Sequence, residues 1–164
     1  MVLIVEDDVS FKLASFWPKT LTEYIAEFPP NWQCVTLYNM ACYIEPDLPN
    51  FISIKDKLCW GSVAYIINRN GMKAILEGMS DQLIMDKNDP KNFTNLTKTS
   101  ALADVFIFNR MKHCYTKKFP LFYPDNTTKQ MDSTIHPDHT KDHKIISLEI
   151  INLYTSVNKL TDLK

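Results

Sequence analysis

The sequence predicts an α/β fold in which a mixed sheet is flanked by helices. Short apolar runs that are typical of buried strands alternate with amphipathic stretches that repeat at the helical period of about 3.6 residues. The chain has 164 residues, of which 45% are apolar and 23% are charged. A chain of this length and composition can bury one sizeable core, so we expect a single domain over residues 1–164.

The first predicted element is a strand at residues 2–5 (VLIV). It is short, β-branched and apolar on both faces, which is typical of a fully buried strand. Such a strand normally has neighbours that earlier parts of the chain supply. We therefore interpret the sequence as a domain whose N-terminal units are missing. If so, the strand edge is exposed and prone to self-association, or a partner chain covers it.

Apolar residues at helical spacing between Ser10 and Phe28 predict a helix next. The pattern is interrupted at Pro18, because proline lacks the N–H that a helix interior needs. It ends at Pro29 and Pro30.

The later elements follow the same two periodicities. Residues 32–38 (WQCVTLY) and 59–68 (CWGSVAYIIN) predict strands, and 72–79 (MKAILEGM) predicts a short helix. The remaining predictions, in chain order, are a loop or edge strand at 44–57, a mobile polar loop at 86–100, a helix at 101–115, an extended segment at 117–123, a polar histidine-rich segment at 124–143 and a closing helix at 145–163.

Glycine is scarce, with three in the chain. Gly61 and Gly71 are therefore expected where a side chain would clash or where φ is positive. The four cysteines, Cys34, Cys42, Cys59 and Cys114, show no CxxC spacing and are expected to be buried free thiols.

Net charge and hydropathy exclude several classes of function. The net charge of −1 gives no electrostatic basis for binding nucleic acid or an anionic membrane. No segment approaches the roughly 20 apolar residues of a membrane span. The opening apolar run is too short for a signal peptide, which favours the cytoplasm.

Three consecutive acids, Glu6, Asp7 and Asp8, follow the first strand. In open α/β sheets ligands bind beyond the carboxyl ends of the strands, and carboxylates there suit Mg²⁺ or Mn²⁺, which can hold a phosphate. Side chains alternate along an extended chain, so Glu6 and Asp8 would point one way and Asp7 the other. Alternatively, the acids cap a helix that begins near Ser10. The three acids alone do not decide between these alternatives.

Four blocks in this order, VLIVEDDV, WGSVAYIINRNGMKAIL, ALADVFIF and DSTI, resemble the family-25 glycosyltransferases. That family includes bacterial lipooligosaccharide sugar transferases and the collagen galactosyltransferases. The resemblance covers roughly residues 2–76 and 100–136. It implies a GT-A fold, of which this chain would be the C-terminal part, because family members carry nucleotide-binding βα units before the acidic strand.

The resemblance also implies a donor, an acceptor and a metal. The donor would be a nucleotide-diphospho sugar such as UDP-galactose, and the acceptor a glycan or a hydroxylysine-type protein side chain. Mn²⁺, or Mg²⁺, would bind Glu6 and Asp8, and His136 is the candidate that completes the metal site. Tyr65 and Asn68 lie on the strand that binds the acceptor or shapes the donor pocket in the family.

Asp104, in ALADVFIF, corresponds to the acid expected near the sugar and the acceptor, and is the candidate general base. The structural alternative is that Asp104 caps a helix that begins at Val105. For His136 the alternative is a solvated histidine-rich loop. His136, His139 and His143 would share a helix face and could form a zinc site, but no cysteine or HExxH pattern supports zinc.

Two further interpretations remain open. Lys117 and Lys118 could meet a phosphate, although exposed lysines usually meet water. The chain as a whole could be a truncated, non-catalytic remnant that acts as a binding module or is completed by a partner chain. A metal-dependent hydrolase that uses the acids has less support, because no second carboxylate cluster is visible.

Overall fold

The computed structural model describes residues 1–7, 9–39, 48–55, 61–83, 107–108, 110–124, 148–152, 154 and 156. Within the helix at 69–83, side chains are described as far as residue 77. The predicted loop at 86–100 and the histidine-rich segment at 124–143, apart from Pro124, lie outside the described residues.

The described residues form a mixed α/β structure, which confirms the predicted fold class at this level. The seven strands are β1 (Val2–Val5), β2 (Val9–Ser10), β3 (Cys34–Thr36), β4 (Phe51–Ser53), β5 (Ala64–Ile67), β6 (Cys114–Lys117) and β7 (Tyr123–Pro124). Five of them form one sheet in the order β1-β5-β3-β6-β4, in which β3 and β6 are parallel and the other pairs antiparallel. Strands β2 and β7 form a separate antiparallel pair.

Helices cover both faces of the five-stranded sheet. Because side chains alternate along each strand, β3 and β5 place their residues on two faces in turn. Helix α2 (Arg69–Leu83) packs on one face, where the core contains Cys34, Ile52, Ile54, Tyr65, Ile67, Phe108, Met111 and Cys114. Helix α1 (Leu21–Ala26) packs on the other, with Tyr24, Phe28, Val35, Leu37, Ala64, Ile66, Leu121 and Phe122.

A third apolar cluster lies beyond the carboxyl end of β3. It contains Tyr38, which follows β3, together with Val63, which precedes β5. Leu13, Tyr123 and Ile150 close it, and residues 148–152 are helical, as the predicted closing helix requires. The Tyr154 hydroxyl donates a 2.7 Å hydrogen bond to the Pro120 carbonyl oxygen and fixes this segment to the chain before β7.

Strand β1 exists as predicted, but the prediction that it is fully buried is wrong. Among the described residues it lies at the end of the sheet and pairs with β5 alone. Val2 is 48% exposed and Ile4 is 38% exposed, and only Leu3 packs against the α1-side core. A strand with one neighbour leaves an edge and part of both faces uncovered, which agrees with the expectation of an exposed strand edge.

The predicted helix at 10–28 is divided as its proline requires. Residues Lys12–Phe16 form a 3₁₀ helix, and α1 begins only after Pro18. The chain then turns back through residues 29–32, where the Trp32 N–H donates to the Pro29 carbonyl oxygen at 3.3 Å. Asn31 has a φ of 62° at the third position of this turn, a conformation that asparagine tolerates.

Helix α1 starts with a capping box. The Thr20 hydroxyl accepts from the Glu23 N–H at 3.3 Å, and the Glu23 carboxylate accepts from the Thr20 N–H at 2.7 Å. The two side chains thus satisfy backbone donors that have no partner inside the helix.

Thr20→Ala is expected to lower the free energy of unfolding by about 1 kcal/mol, because it removes the hydroxyl of this cap. Denaturant unfolding measures the change. The matched control is Thr22→Ala, which makes the same substitution at an exposed position inside α1. Equal losses in the two variants would show that the capping box does not hold the helix.

Several predicted boundaries change in the structure. The predicted helix at 101–115 overlaps β6, so residues 114 and 115 are strand, although residues 107 and 108 are helical. The predicted loop or edge strand at 44–57 contains β4, which is the other edge of the sheet. Helix α2 begins at Arg69, three residues before the predicted start at residue 72, so Gly71 lies in its first turn.

Both glycine predictions are confirmed. Gly61 has a φ of 123°, where L side chains are strained. At Gly71 a Cβ atom would lie 2.8 Å from Ile67 Cγ1, so the backbone of α2 contacts its neighbours directly there.

Cys34 and Cys114 are buried free thiols, as predicted, and lie opposite each other in the β3–β6 pair. Cys42 and Cys59 lie outside the described residues. Among the described residues, no helix is long and apolar enough to cross a bilayer.

Candidate functional site

The candidate site lies at the carboxyl end of β1. Strands β1 and β3 both run antiparallel to β5, so they point the same way and end at the same edge of the sheet. The first residues of β5 lie at that edge too. The chain therefore brings the acids after β1 next to the segment Gly61–Val63, more than fifty positions later.

Glu6 is fixed to this segment by two hydrogen bonds. Its N–H donates to the Val63 carbonyl oxygen at 2.9 Å, which extends the β1–β5 ladder by one pair. Its Oε1 accepts from the Ser62 hydroxyl at 2.7 Å. The Glu6 side chain is exposed, so its carboxylate is accessible to a cation or another donor.

Asp7 lies in a turn that follows. The Val9 N–H donates to the Glu6 carbonyl oxygen at 3.3 Å, which leaves Asp7 exposed on the outside of the turn. The alternative that Glu6 and Asp7 cap a helix is wrong. Strand β2 follows the acids, and the 3₁₀ helix begins after Phe11 with no side-chain cap.

Tyr65 is part of the core that α2 covers and lies two residues after Val63 along β5. It pairs with Ile4 on β1 and with Thr36 on β3, and its ring packs edge-on against Phe108 with the centroids 5.9 Å apart. Burial raises the pKa of the Tyr65 hydroxyl, and the nearby Cys34 and Glu6 raise it further. The structure therefore places Tyr65 behind Glu6 as a neutral, largely buried ring.

Asn68 lies at the opposite end of β5 from Ser62. Six residues of extended chain span roughly 20 Å, so the structure does not bring Asn68 to Glu6. Its Oδ1 accepts from the Gly71 N–H at 2.9 Å, which caps the first turn of α2, and its Nδ2 donates to the Trp32 carbonyl oxygen. The amide of Asn68 is thus used by the fold.

The interpretation of Lys117 and Lys118 as exposed side chains is wrong. Lys118 is buried and its Nζ donates to the Leu48 carbonyl oxygen at 2.8 Å. Lys117 is 6% exposed and its Nζ lies 4.7 Å from the centre of the Tyr24 ring. Burial lowers the pKa of Lys117 to about 8, although the Glu27 carboxylate opposes that shift.

Three predicted site residues, Asp8, Asp104 and His136, lie outside the described residues, so their roles stay predictions. Ser62 was missed by sequence reasoning, because a serine after glycine carries no signal without knowledge of the β1–β5 register.

The described carboxylates at this edge of the sheet can be compared with the ligands that a divalent cation needs. Glu6 and Asp7 supply hard oxygen ligands, and Mg²⁺-type ions are commonly held by one or two carboxylates together with substrate phosphates and water. The part of the chain that the structure describes contains no group of three or more histidine, cysteine, aspartate or glutamate side chains arranged for a metal. The exposed carboxylates of Glu6 and Asp7 could each supply one oxygen ligand to such a cation, whose other ligands would come from elsewhere.

Comparisons of this chain with protein-family models, curated proteins and solved structures give no match.

Proposed function

We propose that this chain is a glycosyltransferase of the GT-A class, which transfers a hexose from a nucleotide-diphospho sugar to a glycan or a hydroxylysine-type acceptor. The observation that carries the proposal is the hydrogen bond between Ser62 and Glu6. It joins the acidic block to the WGSVAY block, two of the four blocks that resemble family 25. The site thus combines an exposed carboxylate with the carboxyl end of a strand, where α/β folds bind ligands.

In this proposal Glu6 and Asp8 would hold Mn²⁺ or Mg²⁺, with His136 as a third ligand. A cation bound there would supply charge neutralisation to a diphosphate leaving group. Ser62 keeps the Glu6 carboxylate oriented by donating a hydrogen bond to one of its two oxygens. Hydrogen-bond partners that do not themselves touch the metal set the orientation of carboxylate ligands in this way.

The chemical step is inversion at the sugar carbon. Asp104 accepts the proton of the acceptor hydroxyl as that oxygen forms its bond to the anomeric carbon. The bond from the anomeric carbon to the diphosphate oxygen breaks on the opposite face, and its electron pair leaves with the nucleotide diphosphate. Tyr65 forms part of the wall behind Glu6. In this proposal Asn68 does not contact the substrates but acts indirectly, by capping the first turn of α2.

A second function is favoured by one observation, the exposed edge of β1. The chain would then be a non-catalytic binding module, or a fragment that a partner chain completes. The two proposals differ in whether UDP-galactose is turned over, while both allow the chain to bind a nucleotide diphosphate.

Mn²⁺ together with UDP is expected to raise the melting temperature of the chain in a concentration-dependent way, because a ligand of the folded state stabilises it by mass action. Glu6→Gln should weaken the Mn²⁺ response about tenfold or more, since even partners outside the metal's ligand set often contribute that much. Ser62→Ala should show a smaller loss, because it frees the Glu6 carboxylate to rotate.

The matched control is Glu149→Gln, the same substitution at an exposed position in the closing helix. A Mn²⁺ response that survives Glu6→Gln unchanged would contradict the metal assignment. Release of UDP from UDP-galactose by the wild-type chain, measured alongside, separates the transferase from the binding module.

A further inference from the structure

Two buried thiols lie next to each other across the parallel pair of β3 and β6. Cys34 and Cys114 are the first residues of these strands and are opposite each other in the register. Cys34 is 0% exposed and Cys114 is 2% exposed. A hydrogen bond joins the two side chains. The fold therefore brings together two cysteines that are far apart in the sequence.

The next inward pair of the same ladder shows how closely it brings side chains. Thr36 and Thr116 are also register partners, two positions further along, so their side chains point to the same face as those of the cysteines. Their hydroxyl oxygens lie 2.8 Å apart in a buried hydrogen bond. The spacing of neighbouring strands, about 4.7–4.9 Å, also falls within the Cα separation of about 4.4–6.8 Å that disulfides require. This ladder is thus compatible with a covalent bond between Cys34 and Cys114.

The two cysteines lie at the end of the sheet opposite the candidate site. Glu6 follows the carboxyl end of β1, whereas the cysteines begin β3 and β6. Gln33 and His113 precede them and are half-buried, and the Gln33 N–H donates to the His113 carbonyl oxygen at 2.8 Å. Because the ends of elements open more readily than their interiors, a small reagent reaches the two thiols from this end.

We propose that Cys34 and Cys114 form a reversible disulfide when the chain meets a small disulfide oxidant such as oxidised glutathione, and that this bond holds β3 to β6. One thiol loses its proton and attacks a sulfur of the oxidant, whose S–S bond breaks and releases one small thiol. The second protein thiol loses its proton and attacks the protein sulfur of this mixed disulfide, and the other half of the oxidant leaves as a thiol. Two protein thiols are oxidised to one disulfide while one small disulfide is reduced to two thiols.

The surroundings of the pair set the relative rates of the two steps. The hydrogen bond to Cys114 and burial raise the pKa of Cys34, and the thiolate is the form that attacks. The first step is therefore slow in the folded chain. The second step is faster, because the partner thiol is already adjacent. Mixed disulfides should not accumulate.

The test incubates the full chain overnight with oxidised glutathione, alkylates the remaining thiols and maps cross-linked peptides by mass spectrometry. The link between Cys34 and Cys114 should be the main product, although it closes the longest loop that the four cysteines allow. In concentrated urea, where the ladder is lost, shorter loops such as Cys34 to Cys42 should prevail. The oxidised folded chain should melt about 5 °C or more above the reduced chain, and dithiothreitol should reverse the difference.

The double variant Cys42→Ser, Cys59→Ser removes the competing thiols and should form the same link with the same rise in melting temperature. Adding Cys114→Ser leaves Cys34 alone and should abolish that rise, which separates the effect of the link from that of attached glutathione. The proposal is overturned if Cys34 and Cys114 stay reduced, stop at mixed disulfides or pair with Cys42 or Cys59 instead. A link that forms without raising the melting temperature also overturns it, because the bond would then strain the ladder rather than hold it.

Discussion

Gly71→Ala is expected to lower the free energy of unfolding by about 2 kcal/mol or more. A Cβ atom at this position would lie 2.8 Å from Ile67 Cγ1, 3.0 Å from the Gln33 carbonyl carbon, and closer still to the oxygen of that carbonyl. Overpacking of a filled site costs about 1–3 kcal/mol and sometimes more. The better helix propensity of alanine recovers only about 1 kcal/mol of it.

The carbonyl of Gln33 cannot move away cheaply. Its oxygen accepts the Asn68 N–H at 3.0 Å, and the Gln33 N–H donates to the His113 carbonyl oxygen at 2.8 Å. A shift of the chain at Gln33 would therefore disturb both the start of α2 and His113, the residue that precedes β6. The strain at Gly71 is expected to spread through backbone hydrogen bonds rather than to be absorbed by a side chain.

Urea unfolding measures the effect, with Asn70→Ala as the matched control. Asn70 is exposed one position earlier in α2, so its replacement by alanine should change stability by less than about 0.5 kcal/mol. If Gly71→Ala is as stable as wild type, α2 can move away from the Gln33 peptide and the close approach is not required by the fold.

The sequence predicts local features of this fold better than features that depend on strand order. The close approach at Gly71 follows from the scarcity of glycine, and the break at Pro18 from the chemistry of proline. The exposure of β1 does not follow from its residues, because a run such as VLIV is apolar wherever it lies. Whether that run is central or at an edge depends on which other strands pair with it.

In the candidate site, too, local features are predicted by the sequence and features that depend on strand pairing are not. The position of Glu6 at the end of a strand is readable from the sequence, and the structure agrees with it. Its hydrogen bond to Ser62 depends on the register of β1 against β5, which no local pattern encodes. The burial of Lys117 was missed for a related reason. The segment up to residue 115 has helical spacing, so the strand alternation that turns Lys117 toward α1 is concealed.

Lys117→Met is expected to stabilise the chain at pH 7, and to lose most of that advantage at pH 10. The pKa of Lys117 is about 8 in the folded protein and 10.5 in the reference state, because burial disfavours the charged form. Between these two values Lys117 binds more protons in the unfolded chain than in the folded chain, so its own contribution to the stability of wild type rises with pH. Integrated over this pH window, the lowered pKa of Lys117 reduces the free energy of unfolding of wild type at pH 7 by about 3 kcal/mol. The attraction between the ammonium and the Tyr24 ring offsets part of that loss.

Other groups contribute to the pH dependence of stability with the opposite sign, and their contribution must be separated from that of Lys117. Burial raises the pKa of Tyr24, and the contact of Cys34 with Cys114, together with burial, raises the pKa of Cys34. Groups with a raised pKa stabilise the fold below their unfolded pKa, and that stabilisation is lost as pH rises toward their folded pKa. The pH profile of wild type alone therefore mixes both signs, while the difference between wild type and Lys117→Met isolates the lysine.

The measurement is chemical unfolding of both proteins at pH 7, 8, 9 and 10, with a reductant present to keep the thiols free. The difference in stability should shrink by about 2 kcal/mol from pH 7 to pH 10. Lys112→Met is the matched control, because it makes the same substitution at an exposed lysine close to the start of β6. A difference for Lys117→Met that stays constant with pH would mean that the Lys117 ammonium stays hydrated in the folded chain. The contact of Nζ with the Tyr24 ring would then be a surface contact rather than the burial of a charge.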